Sequence, residues 1–109
     1  MAYHLSFDDG FPQLNPDPPG AMVQFEAIWS CTNTGDEPSP ETAVWVDVFD
    51  SNSQIALTSF GRNVASLAPN GADSDRLAVG AVGSGTWTVR VSLDSFGNGD
   101  IATIPLSIP

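Results

Sequence analysis

The chain has 109 residues with 13 acidic side chains, three arginines, one histidine and no lysine, for a net charge of −10. That balance argues against nucleic acid or an anionic membrane surface as partner, because both are bound through cationic groups that displace counterions. A single cysteine excludes an internal disulfide, and a mean hydropathy of −0.01 fits one globular domain able to bury roughly two-thirds of its unfolded surface.

Tyr3, Leu5 and Phe7 alternate with His4, Ser6 and Asp8, which predicts a first strand from about Tyr3 to Asp8. The start MAYHLSFDDGF has neither a basic end nor a long apolar run, so no secretory leader is expected, and no later segment reaches membrane-spanning length. Prolines 12, 16, 18 and 19 come next. A run short of N–H donors cannot complete a ladder, so residues 9–20 are expected to form a proline-rich arm or a crossing between sheets. Phe11, Pro12 and Pro16 in it are candidate binding residues.

The stretch from Val23 to Gly35, VQFEAIWSCTNTG, carries the strongest pattern. Val23, Phe25, Ala27, Trp29 and Cys31 fall on every second position and predict a long strand with one buried face. Ile28 breaks the alternation and needs a neighbour to cover it. Cys31 reads as a small buried hydrophobe. Asn33-Thr34-Gly35-Asp36 closes the strand as a turn. Thr42 to Phe49 follows with Val44, Val46 and Val48 toward the core and Ala43, Trp45, Asp47 and Phe49 on the other face. Asp50 to Ser53 is a turn signal, and Gln54 to Phe60 the returning strand of a hairpin. Trp45, Phe49 and Phe60 are candidate contact residues for a protein or a sugar.

Val64 to Leu67 leads into a turn at Ala68-Pro69-Asn70-Gly71, and Arg76 to Val82 is predicted to be a strand. Thr86 to Leu93 alternates with Trp87, Val89, Val91 and Leu93 inward. A loop over residues 94–100 precedes a last strand, Ile101 to Ile108, which Pro105 limits to an edge or to one-sided pairing. Seven or eight short strands with frequent turns and no helical period predict an all-β fold, an immunoglobulin-like two-sheet antiparallel sandwich with Greek-key connections.

No catalytic residues are expected. His4 stands alone on an outer strand face, no nucleophile elbow is present, and the glycines at 80, 83 and 85 precede a strand where a phosphate loop needs a helix. One cysteine and one histidine cannot build a zinc site. Carboxylates are the one source of metal ligands: Asp94, Asn98 and Asp100 offer hard oxygens for calcium, without EF-hand spacing. The expectation is therefore no cofactor, with calcium as the possible exception.

The order of motifs resembles the bacterial cell-adhesion-related domains called CARDB and, more broadly, immunoglobulin-like and fibronectin-like sandwiches. The matching positions are Asn33-Thr34-Gly35, the turn Leu67-Ala68-Pro69-Asn70-Gly71, Gly85-Thr86-Trp87-Thr88-Val89 and Asp94, within a likeness running from about Tyr3 to Asp94. An added asparagine in the proline-glycine turn and the tail DSFGNGDIATIPLSIP depart from the pattern. The resemblance implies a non-catalytic interaction domain. The expected role is an accessory or decoration protein on a virion capsid or similar large assembly, binding a protein partner at the assembly surface, with homo-oligomers on that surface possible. The alternatives are an extracellular adhesion module of a bacterial cell-surface protein, or a carbohydrate- or calcium-binding module.

Overall fold

The computed structural model describes residues 2–16, 19–59 and 61–109. Its strands are β1 (Leu5–Phe7), β2 (Gln13–Asn15), β3 (Phe25–Asn33), β4 (Thr42–Ala43), β5 (Trp45–Phe49), β6 (Ile55–Ser59), β7 (Asn63–Val64), β8 (Ala72–Val79), β9 (Gly85–Ser92) and β10 (Ile101–Ile108). All named ladders are antiparallel. The all-β sandwich expectation holds. The ten strands exceed the expected seven or eight because the proline-rich segment contributes β2 and the expected strand from Thr42 to Phe49 is divided into β4, which pairs with β7 in a separate two-residue ladder, and β5.

β3 is the centre of the first sheet, and its burial alternates without interruption from Phe25 to Asn33. On one flank it pairs with β1, Leu5 opposite Asn33, and with β2, Gln13 opposite Ile28. Its other flank pairs with the whole of β8, from Thr32 opposite Ala72 to Phe25 opposite Val79. The proline-rich segment therefore returns to the sheet as β2, and Leu14 and Pro19 in it are buried. Residues 17 and 18 lie outside the described set. Val23 is not part of the buried face; it is 47% exposed. The chain turns at Met22, which takes a left-handed φ of 59°, so the alternation begins only at Phe25.

The second sheet runs β10-β9-β5-β6. Val46, Val48, Val89, Val91, Leu106 and Ile108 supply its buried face and close on Phe25, Ala27 and Trp29 of β3. Val44 and Val64, beside and within the small ladder, fill the same core. Leu93 donates its N–H to Asp100 O at 3.1 Å, directly beyond the pair Ser92 and Ile101. Alternating from that pair, the main-chain groups of Ile101, Thr103, Pro105 and Ser107 face the open edge, so Pro105 costs the sheet no ladder donor.

β8 begins four residues before the predicted Arg76 and ends at Val79, before the predicted Val82. Pairing with β3 overrides the low strand propensity of Asp73, Ser74 and Asp75. The charges on this long edge strand discourage pairing with another chain, and Arg62 crosses to it, its Nε donating to Arg76 O at 3.0 Å.

Asn33 at the end of β3 is fully buried and makes every hydrogen bond its amide allows. Its Oδ1 accepts the N–H groups of His4 (3.3 Å) and Gly35 (3.0 Å), while Nδ2 donates to the carbonyls of Glu37 (2.8 Å) and Leu67 (3.0 Å). Gly35 is required by proximity: a Cβ there would lie 2.2 Å from Ala2 O. Asn33→Ala is expected to cost about 2–4 kcal/mol in urea unfolding, because four partners lose their bond in a buried site; a loss below about 1 kcal/mol would contradict this role.

Candidate interaction surface

With Val46 and Val48 turned inward, Trp45, Asp47 and Phe49 alternate onto the outer face of the second sheet. The register sets Trp45 beside Ser92, Asp47 beside Arg90 and Phe49 beside Thr88. One strand further, these are flanked by Ile101, Thr103 and Pro105. On the opposite flank, a register shift at Val48/Phe49 places Ile55 beside Phe49. The outer face thus has two apolar rows with a polar row between them.

The middle row is electrically closed. Arg90 Nη2 lies 2.9 Å from Asp47 Oδ2, and the Asp47 side chain is only 11% exposed. The guanidinium also lies 4.8 Å from the centroid of the Phe49 ring, a cation–π contact. Arg90 Nε is buried without a hydrogen-bond partner among the described residues. Around this pair Ile101 is 62% and Ile55 58% exposed, and Trp45 and Phe49 are half-buried. In a chain of net charge −10, these rows carry one acid and one base, which cancel.

The other expected binding residues lie elsewhere. Phe11 lines a hollow of about 350 Å³ with Ile28, Ser30 and Arg76 on the outside of the first sheet, where Ile28 is half-buried. Pro12 borders a second hollow with Leu14 and Ile104, and Pro16 is exposed. Phe60 lies outside the described residues. Trp45 and Phe49 are thus brought together, while Phe11 lies on the outside of the first sheet and Pro12 beside Leu14 and Ile104 between the two sheets. Ile55 and Ile101 were not singled out from the sequence. Ile101 was nonetheless legible, since it falls on the opposite parity from the core residues Ile104, Leu106 and Ile108.

The acidic loop is arranged differently from a metal site. Asp94, 7% exposed, has both oxygens engaged. Oδ1 accepts the Thr42 hydroxyl and the Phe96 N–H, and Oδ2 accepts the Tyr3 hydroxyl at 2.7 Å and the Asn98 N–H at 2.9 Å. Asp100 accepts the Phe7 N–H and meets His4 Nε2 at 2.9 Å. Among the described residues no three His, Cys, Asp or Glu side chains converge on a point where a metal ion would fit. Of the expected ligands Asp94, Asn98 and Asp100, Asp94 has four donors on its two oxygens, Asp100 has one on each, and Asn98 is exposed.

Burial pushes the Asp94 carboxyl up, but the bonds from Thr42, Tyr3, Phe96 and Asn98 together hold it below the usual carboxylate range. Hydroxyls of Ser30 and Thr32 do the same for Asp8. Both groups have folded pKa values below those of the unfolded chain, so their stabilisation is complete above the ordinary carboxylate range and is lost as pH falls through the folded values. The midpoint of thermal unfolding is expected to be flat from neutral pH to about 5 and to fall below about 4, with a shallower acid decline in Asp94→Asn; an equally steep decline in that variant would contradict the assignment. Burial, with Asp73 and Asp8 nearby, pushes the Cys31 thiol up to about 11. The folded protein should therefore leave Ellman's reagent unreacted at pH 8 until denaturant is added, and rapid reaction of the native protein would overturn this placement.

No family model matches the sequence, and no curated protein is significantly similar to it. Solved structures do share its fold. A CARDB domain from Pyrococcus furiosus, solved in complex with di-metal ions, is 17% identical with a TM-score of 0.62, and the match covers 99% of this chain and 88% of that one. A β-glucosidase from Erythrobacter marinus matches at 16% identity and a TM-score of 0.67 over 98% of this chain, which spans only 16% of the glucosidase. The alkylpurine DNA glycosylase AlkC of Pseudomonas fluorescens, bound to DNA containing an abasic site analog, matches at 12% identity and a TM-score of 0.67 over all of this chain and 31% of its own. At these identities the likeness is one of fold, and that fold is a CARDB-like immunoglobulin-like sandwich.

Proposed function

We propose that this domain is a non-catalytic interaction module that binds a protein surface through the outer face of the β10-β9-β5-β6 sheet. Its setting is the surface of a virion capsid or a similar large assembly, where it acts as an accessory or decoration subunit. One observation carries the reading: a highly acidic chain keeps this face electroneutral and places Trp45, Phe49, Ile55 and Ile101 on it. Depletion of net charge, with aromatic residues and a central arginine, is the composition of a buried interface core. On a symmetric shell, many copies of one modest contact combine by avidity.

The acids elsewhere keep the free subunit soluble and repel nucleic acid, so the DNA bound by the glycosylase neighbour does not transfer to this chain. The β-glucosidase neighbour adds no catalytic reading, since it shares one fold unit and this chain matches a small part of it. An adhesion module of a bacterial surface protein is the second reading, favoured by the way this fold recurs inside longer chains.

Removal of residues 1–19 would not test an arm, because Leu5 and Leu14 belong to the core. The direct test is co-sedimentation of point variants with purified capsids of the same source. Ile101→Glu and Trp45→Ala should each weaken binding about tenfold or more while the folded domain is retained. Unchanged binding in both would refute the proposed face.

A further inference from the structure

We infer that the 94–100 loop is a cation-independent clasp, in which protein hydrogen bonds occupy the acceptor positions of Asp94, and that it fastens the N-terminal strand to the second sheet. β1 is held on both sides. It pairs antiparallel with β3, and in parallel Leu5 N–H donates to Asn98 O at 3.0 Å while Asp100 N–H donates to Leu5 O at 2.8 Å. The side chains repeat this link: Tyr3 to Asp94, His4 to Asp100, and Phe7 N–H to Asp100.

An ionised carboxylate offers about four lone-pair sites, and Asp94 fills four with Thr42, Phe96, Tyr3 and Asn98. Calcium takes six to eight oxygen ligands, so Asp94 would join its shell only by releasing these donors. Release would leave the Thr42 and Tyr3 hydroxyls without their carboxylate partner and free the N-terminal segment from the loop. The clasp therefore withholds Asp94, the most buried carboxylate of the loop, from the ion that the loop's composition suggests.

The test uses the full chain, scanned calorimetrically in EDTA and in calcium chloride. A site of about 0.1 mM affinity would raise the unfolding midpoint by roughly 10 °C at about 10 mM calcium; the clasp predicts a change within about 1 °C. Tyr3→Phe removes one donor with almost no change of shape. It should lower the midpoint by about 5 °C equally in EDTA and in calcium. Selective broadening of the residue 94–100 amide signals by manganese, a calcium-dependent midpoint in the wild-type chain, or no effect of Tyr3→Phe would each overturn the inference.

Discussion

The buried amide of Asn33 is the constraint on which the rest of the structure depends. It lies at the end of β3, where the chain leaves the first sheet for the second, and a polar group there is tolerable only if fully bonded. Its side chain fixes His4, Gly35, Glu37 and Leu67, and its main chain adds Gly71 and Asn70. These partners come from the N-terminal strand, the β3 exit and the turn before β8. One residue thereby sets the register of three segments that are distant in sequence. Asp94 does the equivalent work at the end of β9, gathering Tyr3, the β4 residue Thr42 and its own loop. Because both hubs bind the N-terminal segment, that segment belongs to both sheets.

Local periodicity revealed the elements whose burial is one-sided. β3, β5, β9 and β10 were all visible as alternating runs, and Pro105 limited β10 to an edge or to one-sided pairing before any pairing was known. What escaped was set by tertiary pairing. Asp73, Ser74 and Asp75 carry no strand signal, yet β3 presents eight residues to pair and draws them in. Gln13 to Asn15 was hidden among prolines for the same reason. Asn33-Thr34-Gly35 was legible as a turn, but the need for glycine came from the passing Ala2 and Tyr3 main chain, which no local rule contains.

The candidate surface was half legible. Trp45 and Phe49 announced themselves by size and parity. Ile101 was legible by parity, but its place beside Ser92 and Trp45, like that of Ile55 beside Phe49, required the register. Asp47 and Arg90 read as ordinary surface charges in sequence; only pairing across β5 and β9 shows that they cancel and leave the face neutral. The acidic loop shows the converse. Asp94, Asn98 and Asp100 looked like ligands because composition cannot reveal that the Asp94 carboxylate, the Asp100 carboxylate and the Asn98 main chain are bonded inside the protein.

Binding through the neutral sheet face is most directly examined by hydroxyl-radical footprinting of the domain, free and bound to its assembly. Trp45, Phe49 and Ile101 should lose reactivity on binding, while Met22 and Phe96, which are also exposed but lie off this face, keep theirs. Protection of Met22 or Phe96 with Trp45 and Ile101 unchanged would contradict the account and move the interface to another part of the molecule.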